Sequence, residues 1–228
     1  YGVEEMPVYI DGHFKAVWTL KNIPRGKHGM MDRVMPGLEQ IFLNGQKGHP
    51  LLHKTCPGDR HLTKDILDIV DDFEMTVGRE VVNVVVFDGE GCSSKVFKAF
   101  DVLNEIRRKK FYPLTMLDSN QYRFEDFKIK DEIDDGQRPV REQDFDVYKR
   151  DEKGRVRSRV ALVEFDYLSN INRRRKDKEE YLMRCALVKK KNDKLSVIIT
   201  TMPMNKITSG VELADLYYNR WPYQEAKF

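Results

Sequence analysis

The chain has 228 residues, of which 40% are hydrophobic and 34% charged, and its net charge is +3. This composition is typical of a globular protein with one core, or one core and an inserted lobe, and does not indicate a disordered chain. The longest apolar runs are far shorter than the ~20 residues of a membrane-spanning helix, so no membrane partner is expected. The three cysteines (Cys56, Cys92, Cys185) are far apart in the sequence, which favours reduced thiols in a cytoplasmic setting.

The N-terminal part combines β-prone runs with a segment rich in turn residues. Pro7 to Ile10 predicts a first strand and Phe14 to Leu20 a second. Glycine and proline punctuate the stretch from Ile23 to Pro57. Within it we expect a short helix at Leu38 to Leu43 and a short strand at Leu51 to His53.

Two helices and the most apolar strand follow. Apolar residues from Ile66 to Phe73 recur at helical spacing behind a candidate cap at Thr63. The run from Val81 to Phe87 is almost entirely apolar, which predicts a central strand buried on both faces. Ser93 or Ser94 is then expected to cap a second helix, and Tyr112 to Leu117 completes a strand–helix–strand unit.

The remaining sequence indicates an inserted lobe and a return to the core. Residues 118–194 alternate charged strand-like pieces with turns, and residues 195–201 form an apolar run before a helix with Ser209 and Glu212 in capping-box spacing. We therefore predict a core in two parts, residues 1–117 and 195–228, interrupted by a mostly β lobe at residues 118–194. Basic residues cluster in Arg173 to Lys176 and Lys189 to Lys191, although such runs are more often solvated faces than binding sites.

Two aspartates stand at positions where ligands gather in α/β proteins. Asp11 and Asp88 each follow an apolar strand and each precede a glycine, and the carboxyl ends of strands in open sheets are common sites of catalysis. Two neighbouring carboxylates repel each other, and a hard divalent cation such as Mg²⁺ relieves that repulsion. An Asp-Gly pair is also ordinary turn chemistry, so either aspartate alone is more simply explained as a turn residue.

A third group of polar residues lies near the end of the chain. Tyr217, Arg220 and Glu225 recur close to helical spacing, which would bring a phenol, a guanidinium and a carboxylate towards one side of a helix. An amphipathic helix with a surface ion pair gives the same pattern.

Taken in order, these segments resemble the DDE transposases of bacterial cut-and-paste insertion sequences, in the group with a Tyr-Arg-Glu-Lys signature helix. The resembling segments are Val8-Tyr-Ile-Asp-Gly-His13, Val84-Val-Val-Phe-Asp-Gly-Glu-Gly91, and the residues Tyr217, Arg220 and Glu225. The sequence departs from the family pattern in one place. Four residues including Pro222, instead of three, separate Arg220 from Glu225, so we expect a helix that kinks or restarts near Pro222.

The resemblance implies a fold and an activity. The fold would be α/β, a ribonuclease-H-like mixed sheet flanked by helices, with the β lobe inserted before the last catalytic helix. Asp11, Asp88 and Glu225 would be the catalytic metal ligands for two Mg²⁺ (or Mn²⁺) ions. The enzyme would cleave DNA at transposon ends and transfer the freed 3′-hydroxyl into another DNA strand.

The resemblance also implies partners and further contact residues. The partners would be double-stranded DNA, both transposon ends and target, and a second copy of the chain in a homodimeric synaptic complex; the location would be cytoplasmic and nucleoid-associated. The residues expected to contact DNA are Tyr217, Arg220, Arg173, Arg174, Arg175 and Lys15. His13, Arg25 and Lys27 lie near the predicted active-site end and are further candidates. Because the chain opens on Tyr1, we expect it to be a piece of a longer protein, and the signature lysine would lie after Phe228.

Three alternatives stay open from the sequence. A ribonuclease-H-like nuclease would hydrolyse DNA without strand transfer. A domesticated or inactive relative would act as a DNA-binding module, and the unusual spacing around Pro222 is compatible with that. The matches could also arise by chance in an unrelated α/β domain.

Overall fold

The computed structural model describes residues 5–29, 31–130, 136–166, 182–207 and 209–219. The described residues fall into two compact units, one within residues 5–111 and the other within residues 112–219. No helix among them is long and apolar enough to cross a membrane.

The first unit contains a mixed sheet of five strands: β1 (Met6–Ala16), β2 (Arg25–His28), β3 (Arg33–Asn44), β4 (Pro50–Pro57) and β5 (Val82–Phe87). β3 pairs antiparallel with β1 on one side and with β4 on the other, and β2 pairs with the first residues of β3. β5 pairs parallel with β1. The sheet therefore has an antiparallel part and one parallel pair at β1 and β5.

Two helices connect and cover this sheet. α1 (Ile66–Val77) ends at Gly78, whose left-handed backbone lets its N–H donate to the Glu74 carbonyl at 2.8 Å, a common way to end a helix. α2 (Ser94–Ile106) begins at Ser93, whose hydroxyl accepts the Val96 N–H. A core of fully buried side chains joins both helices to the sheet; it includes Val8, Ile10, Ile41, Ile69, Val85 and Phe100.

The second unit contains an antiparallel sheet of seven strands: β6 (Tyr112–Leu117), β7 (Lys128–Lys130), β8 (Gln137–Pro139), β9 (Asp146–Arg150), β10 (Val156–Asp166), β11 (Leu182–Lys190) and β12 (Leu195–Thr200). The order along the sheet is β6-β12-β11-β10-β7-β8, and β9 pairs with the first part of β10. α3 (Gly210–Tyr218) packs on β10 and β11. Gly210 permits close packing, since a Cβ there would lie 3.1 Å from the backbone of Ala161.

Several sequence-based predictions of elements are confirmed. The apolar run at Val81 to Phe87 contains β5, the predicted strand at Tyr112 to Leu117 is β6, and the short strand at Leu51 to His53 lies within β4. The Ser93 and Ser209 hydroxyls accept backbone N–H groups at the starts of α2 and α3.

Three predictions of elements are wrong in detail. Leu38 to Leu43 is not a helix; it belongs to β3, because pairing with both β1 and β4 satisfies its backbone in an extended form. β1 continues past Asp11 to Ala16, so no break separates two strands there and residues 17–20 stay outside the strand. Thr63 does not cap α1, which begins after Asp65.

Candidate active site

Asp11 and Asp88 lie side by side at one edge of the parallel β1–β5 pair. The register pairs Val8 with Val85 and Ile10 with Phe87. Asp11 follows Ile10, and Asp88 follows Phe87. The two aspartates are therefore neighbours at the point where the β1–β5 pairing ends. Adjacent strands are about 4.8 Å apart, so the backbones of Asp11 and Asp88 are close to each other.

The two aspartates also belong to the same face of the sheet. Side chains alternate along a strand, so Asp11 shares a face with Tyr9, and Asp88, whose backbone is still extended, continues the face of Val86. Tyr9 and Val86 are themselves paired in register. Both aspartates are partly buried, and one oxygen of Asp88 accepts the Gly89 N–H at 2.8 Å.

The sequence-predicted site residues are only partly described. Glu225 and Arg220 lie outside the described residues, as do Arg173, Arg174 and Arg175. The register thus makes Asp11 and Asp88 neighbours in the sheet, and the role of all three carboxylates as metal ligands stays a prediction. No group of three or more His, Cys, Asp or Glu side chains within the described ranges is arranged to hold a metal ion.

Tyr217 and Lys15 occupy very different environments. Lys15 is exposed on β1, where a phosphate could reach it. Tyr217 is fully buried in the second unit, with its ring edge-on to Tyr218 at a centroid distance of 5.6 Å. In this conformation Tyr217 packs in the core, and the DNA contact predicted for it would require the phenol to become exposed.

A cavity of about 890 Å³ opens in the first unit beside the aspartate pair. Gly12 and His13, which follow Asp11, and Glu90, which follows Asp88 by two positions, line it, whereas the aspartates themselves do not. The other charged and histidine side chains that line the cavity are Arg25, Lys27, His28, Glu39, Asp59, Arg60 and His61.

Glu39 is the most perturbed carboxyl group of this region. Burial, followed by the negative charges of Glu90 and Asp11, raises the pKa of Glu39 to about 7. Glu39 lies directly opposite Phe14 in the β1–β3 register. Because side chains alternate along a strand, Glu39 lies on the opposite face of the sheet from Asp11. The sheet edge therefore carries acidic groups on both faces.

Two of the basic residues in the cavity are held by ion pairs within the first unit. Arg60 Nε donates to Asp65 at 2.6 Å, and Asp65 is fully buried. Lys27 pairs with Asp32 at 2.8 Å, and both side chains are largely exposed. The hydrogen bond to Asp32 and its charge raise the pKa of Lys27.

Comparison with solved structures finds only distant likeness. Neither a family model nor a curated protein matches the sequence. The chain is similar to a piggyBac transposase in a synaptic complex with hairpin DNA, solved by cryo-electron microscopy. The TM-score is 0.41 at 14% sequence identity, over 98% of this chain and 44% of that one. The chain thus spans less than half the length of the piggyBac protein.

The sequence predicts a site at Asp11 and Asp88 but gives less indication of the acidic groups around them. The sequence gives no sign of Glu39, because its segment predicts a short helix, whereas in β3 Glu39 pairs with Phe14 of β1, three positions after Asp11. Glu90 lies in the short helical turn Gly89–Gly91, and its position two residues after Asp88 was an available signal. Arg60 and His61 follow β4 and reach the cavity only through the antiparallel β3–β4 pairing.

Proposed function

We propose that the chain is the catalytic core of a DNA transposase, which hydrolyses DNA at transposon ends. The freed 3′-hydroxyl then attacks a phosphodiester of a second DNA strand, forms a new P–O bond and displaces the 3′-oxygen of that strand. The single observation that carries this proposal is the placement of Asp11 and Asp88 next to each other at the end of the parallel β1–β5 pair. Glu225, outside the described residues, would complete the ligand set, and two Mg²⁺ or Mn²⁺ ions would be the cofactors.

The donor chemistry of the pair suits a divalent cation. Two carboxylates side by side on one face offer only oxygen ligands, which Mg²⁺ prefers, and their mutual repulsion favours a bound cation over an empty site. The Gly89 N–H holds one oxygen of Asp88 in place, which limits the rotation of that carboxylate. A bound ion would supply Lewis acidity towards a phosphate oxygen and lower the pKa of an attacking water or hydroxyl.

The surroundings of the pair support a phosphodiester substrate. Lys15 is exposed on β1, and Arg25 and His13 line the neighbouring cavity, so two cations and an imidazole lie near the carboxylates. Phosphate groups are recognised by such side chains. These residues would bind and orient the DNA strand while the aspartates hold the metal.

The proposal extends to the fold, the partners and the location. In the first unit β4, β3, β1 and β5 follow one another, with β5 the parallel neighbour of β1, and we interpret this order as the start of a ribonuclease-H-like core. The core would consist of residues 1–117 and 195–228, with residues 118–194 inserted. Duplex DNA and a second copy of the chain would be its partners, in a cytoplasmic, nucleoid-associated complex.

A cleavage and joining assay tests the proposal. The full chain would be incubated with Mg²⁺ or Mn²⁺ and a duplex containing the DNA that borders its own gene. We expect metal-dependent nicking near the element end, followed by joined products. Asp88→Asn should reduce the nicking rate at least ~10³-fold, because the amide cannot neutralise the metal, yet it can still accept the Gly89 N–H.

Asp72→Asn is the matched control, since Asp72 is an exposed aspartate on α1, and it should leave nicking unchanged. Nicking by Asp88→Asn at the rate of the unmodified chain would reject the metal-ligand role. Nicking without any joined product would identify a nuclease that only hydrolyses DNA.

A further inference from the structure

The second unit carries a basic cleft where β10 begins and β11 ends. The cleft has a volume of about 200 Å³, and its cationic lining residues are Arg157, Arg159, Lys189, Lys190 and Lys191. They come from two adjacent antiparallel strands and the turn that follows. Arg159 lies directly opposite Lys189 and Ser158 opposite Lys190, and the Lys191 N–H donates to the Arg157 carbonyl at 3.1 Å.

Few acidic groups balance this charge. The carboxylates that line the cleft are Glu142 and Asp193, and both pair with Lys189, at 2.8 Å and 3.4 Å. Arg157, Lys190 and Lys191 are exposed. Within the described part of the chain none of these three forms an ion pair. The cleft therefore keeps an excess of positive charge that faces solvent.

Arg159 and Lys189 lie directly opposite each other on the antiparallel pair, where like charges repel, and Glu142 and Asp193 pair with Lys189 there. Arg157 and Arg159 share one face of β10 with Lys189 of β11, because side chains alternate along a strand, and Lys190 and Lys191 line the end of the same cleft. Such a cluster of cations is typical of a surface that binds a polyanion.

We propose that this basic cleft binds the phosphate backbone of double-stranded DNA. The inference rests on the proposed function, which makes DNA the substrate. Among the described residues no aromatic side chain lines the cleft, so stacking of unpaired bases, the usual way to hold single strands, is absent from its lining. Arg157 and Arg159 are two positions apart on one strand, roughly 6.7 Å, which suits contacts to successive phosphates.

The salt dependence of DNA binding tests the inference. The full chain would carry Asp88→Asn to prevent cleavage, and its affinity for a 30-base-pair duplex of unrelated sequence would be measured by fluorescence anisotropy over a range of salt concentrations. The cleft variant combines Arg157→Gln, Lys190→Gln and Lys191→Gln. Each lost phosphate contact reduces the slope of log K against log salt by about 0.9, so we expect a slope shallower by about 2–3. Binding at 0.1 M salt should weaken about a hundredfold.

The matched control combines Lys47→Gln, Arg79→Gln and Lys110→Gln, which are exposed residues of the first unit and give the same change in net charge. This control should leave the slope within about 0.5 of the parent value. An equal loss in both variants, or no loss in the cleft variant, would overturn the proposal. Tighter cleft-dependent binding to duplex RNA than to duplex DNA would overturn the choice of partner.

Failure of the DNA-binding proposal for the cleft can be distinguished from failure of the proposed catalytic function. If the cleft variant loses DNA binding while the unmodified chain never nicks DNA, the cleft is a DNA-binding surface and the catalytic proposal fails. If nicking depends on Asp88 but the cleft variant binds as the parent does, the catalytic proposal stands and the cleft has no role in binding. Matching circular dichroism spectra and melting temperatures of the two triple variants would show that both are folded.

Discussion

Asp11 and Asp88 place two negative charges next to each other in a partly buried position, where the fold alone gains nothing from their repulsion. A cation that binds only the folded chain stabilises it by about 2.7 kcal/mol at one hundred times its Kd. For a chain of this size, that corresponds to a rise in Tm of roughly 5–10 °C.

We therefore predict that Mn²⁺ raises the Tm of the unmodified chain, and that Asp88→Asn removes most of this rise. Differential scanning calorimetry with and without the metal measures both. Asp72→Asn, which changes an exposed aspartate of α1, should keep the full rise. An identical rise in all three proteins would place the bound metal elsewhere.

Glu74 is the other carboxylate on which the first unit depends, and its role is structural. Its side chain accepts the backbone N–H groups of Val81 and Val82 at 2.9 and 2.8 Å and pairs with both terminal nitrogens of Arg107. The Arg107 guanidinium also lies 4.1 Å above the centre of the Phe111 ring. Burial raises the pKa of Glu74, but the hydrogen bonds from Arg107, Val82 and Val81 outweigh it, so the pKa lies below its ordinary value.

Replacement of Glu74 is therefore predicted to be costly. Glu74→Gln leaves Arg107 as an uncompensated buried charge, and breaking such a pair costs about 3–5 kcal/mol of unfolding free energy. Urea titration at pH 7 measures the loss. Glu105→Gln on the exposed side of α2 is the control and should change the free energy by less than ~0.5 kcal/mol.

The Glu74–Arg107 pair also predicts how the stability of the chain depends on pH. The pKa of Glu74 is lower in the folded chain than in the unfolded chain. The contribution of Glu74 to the free energy of unfolding is therefore fully present above the unfolded pKa of about 4.3. It is lost as the pH falls through the folded pKa. The stability difference between the unmodified chain and Glu74→Gln should thus stay constant from pH 7 to pH 5 and shrink below about pH 4. A difference that grows on acidification would contradict this assignment.

At the scale of elements, β1, β2, β3 and the turn after β4 meet around one aromatic ring. Gly26, Gly37 and Gly58 surround Phe14, and a Cβ on any of them would collide with that ring. A Cβ on Gly37 would also lie 2.6 Å from the Lys15 carbonyl, and one on Gly58 would lie 2.5 Å from the Gly37 carbonyl. These close approaches explain part of the glycine content of the stretch from Ile23 to Pro57.

We predict that Gly37→Ala destabilises the chain by about 1–3 kcal/mol, the usual cost of overpacking. Thermal unfolding measures the effect. Gly29→Ala serves as the control, because a Cβ there meets no atom within 4 Å, and it should be close to neutral. Equal Tm values for the two variants would show that Phe14 can move aside.

Elements with a strong local signal could be predicted from sequence, and elements defined by pairing could not. β5 is a continuous apolar run, and α2 and α3 begin at serines that accept backbone N–H groups. β3 lacks such a signal, since Gly37 and Pro36 lie inside it and its apolar residues fit a short helix equally well. The extended form of β3 depends on its pairing with β1 and β4. Local sequence propensity does not predict such pairing.

The aspartate pair shows the same limit at the site itself. That Asp88 follows a buried strand could be predicted, because β5 ends abruptly at Phe87. The position of Asp11 inside β1 could not be predicted. β1 continues to pair with β3 after its pairing with β5 has ended. Only the register between β1 and β5 makes the two positions neighbours, and register is a property of the assembled sheet.

At the scale of the whole molecule, the proposed metal site and the basic cleft lie in different units. The aspartate pair belongs to the first unit, and the basic cleft belongs to the second. The net charge of +3 does not reveal either site, because each depends on how a few charged residues cluster locally. Separate sites with no shared side chains are expected to act independently in free energy.

This independence gives a prediction for combined variants. Asp88→Asn alone should abolish nicking and change the Kd for duplex DNA less than about twofold. The cleft variant alone should bind about a hundredfold more weakly at 0.1 M salt yet approach the unmodified nicking rate at saturating protein, because contacts that are equally strong in the ground and transition states change KM and leave kcat intact. In the combined variant the two effects on the free energy of DNA binding should add within about 0.5 kcal/mol.

Anisotropy measures the Kd, and single-turnover nicking on the same duplex measures the cleavage rate. A cleft variant that binds weakly and also nicks slowly at saturation would show that Arg157, Lys190 and Lys191 help to position the DNA for cleavage in addition to holding it.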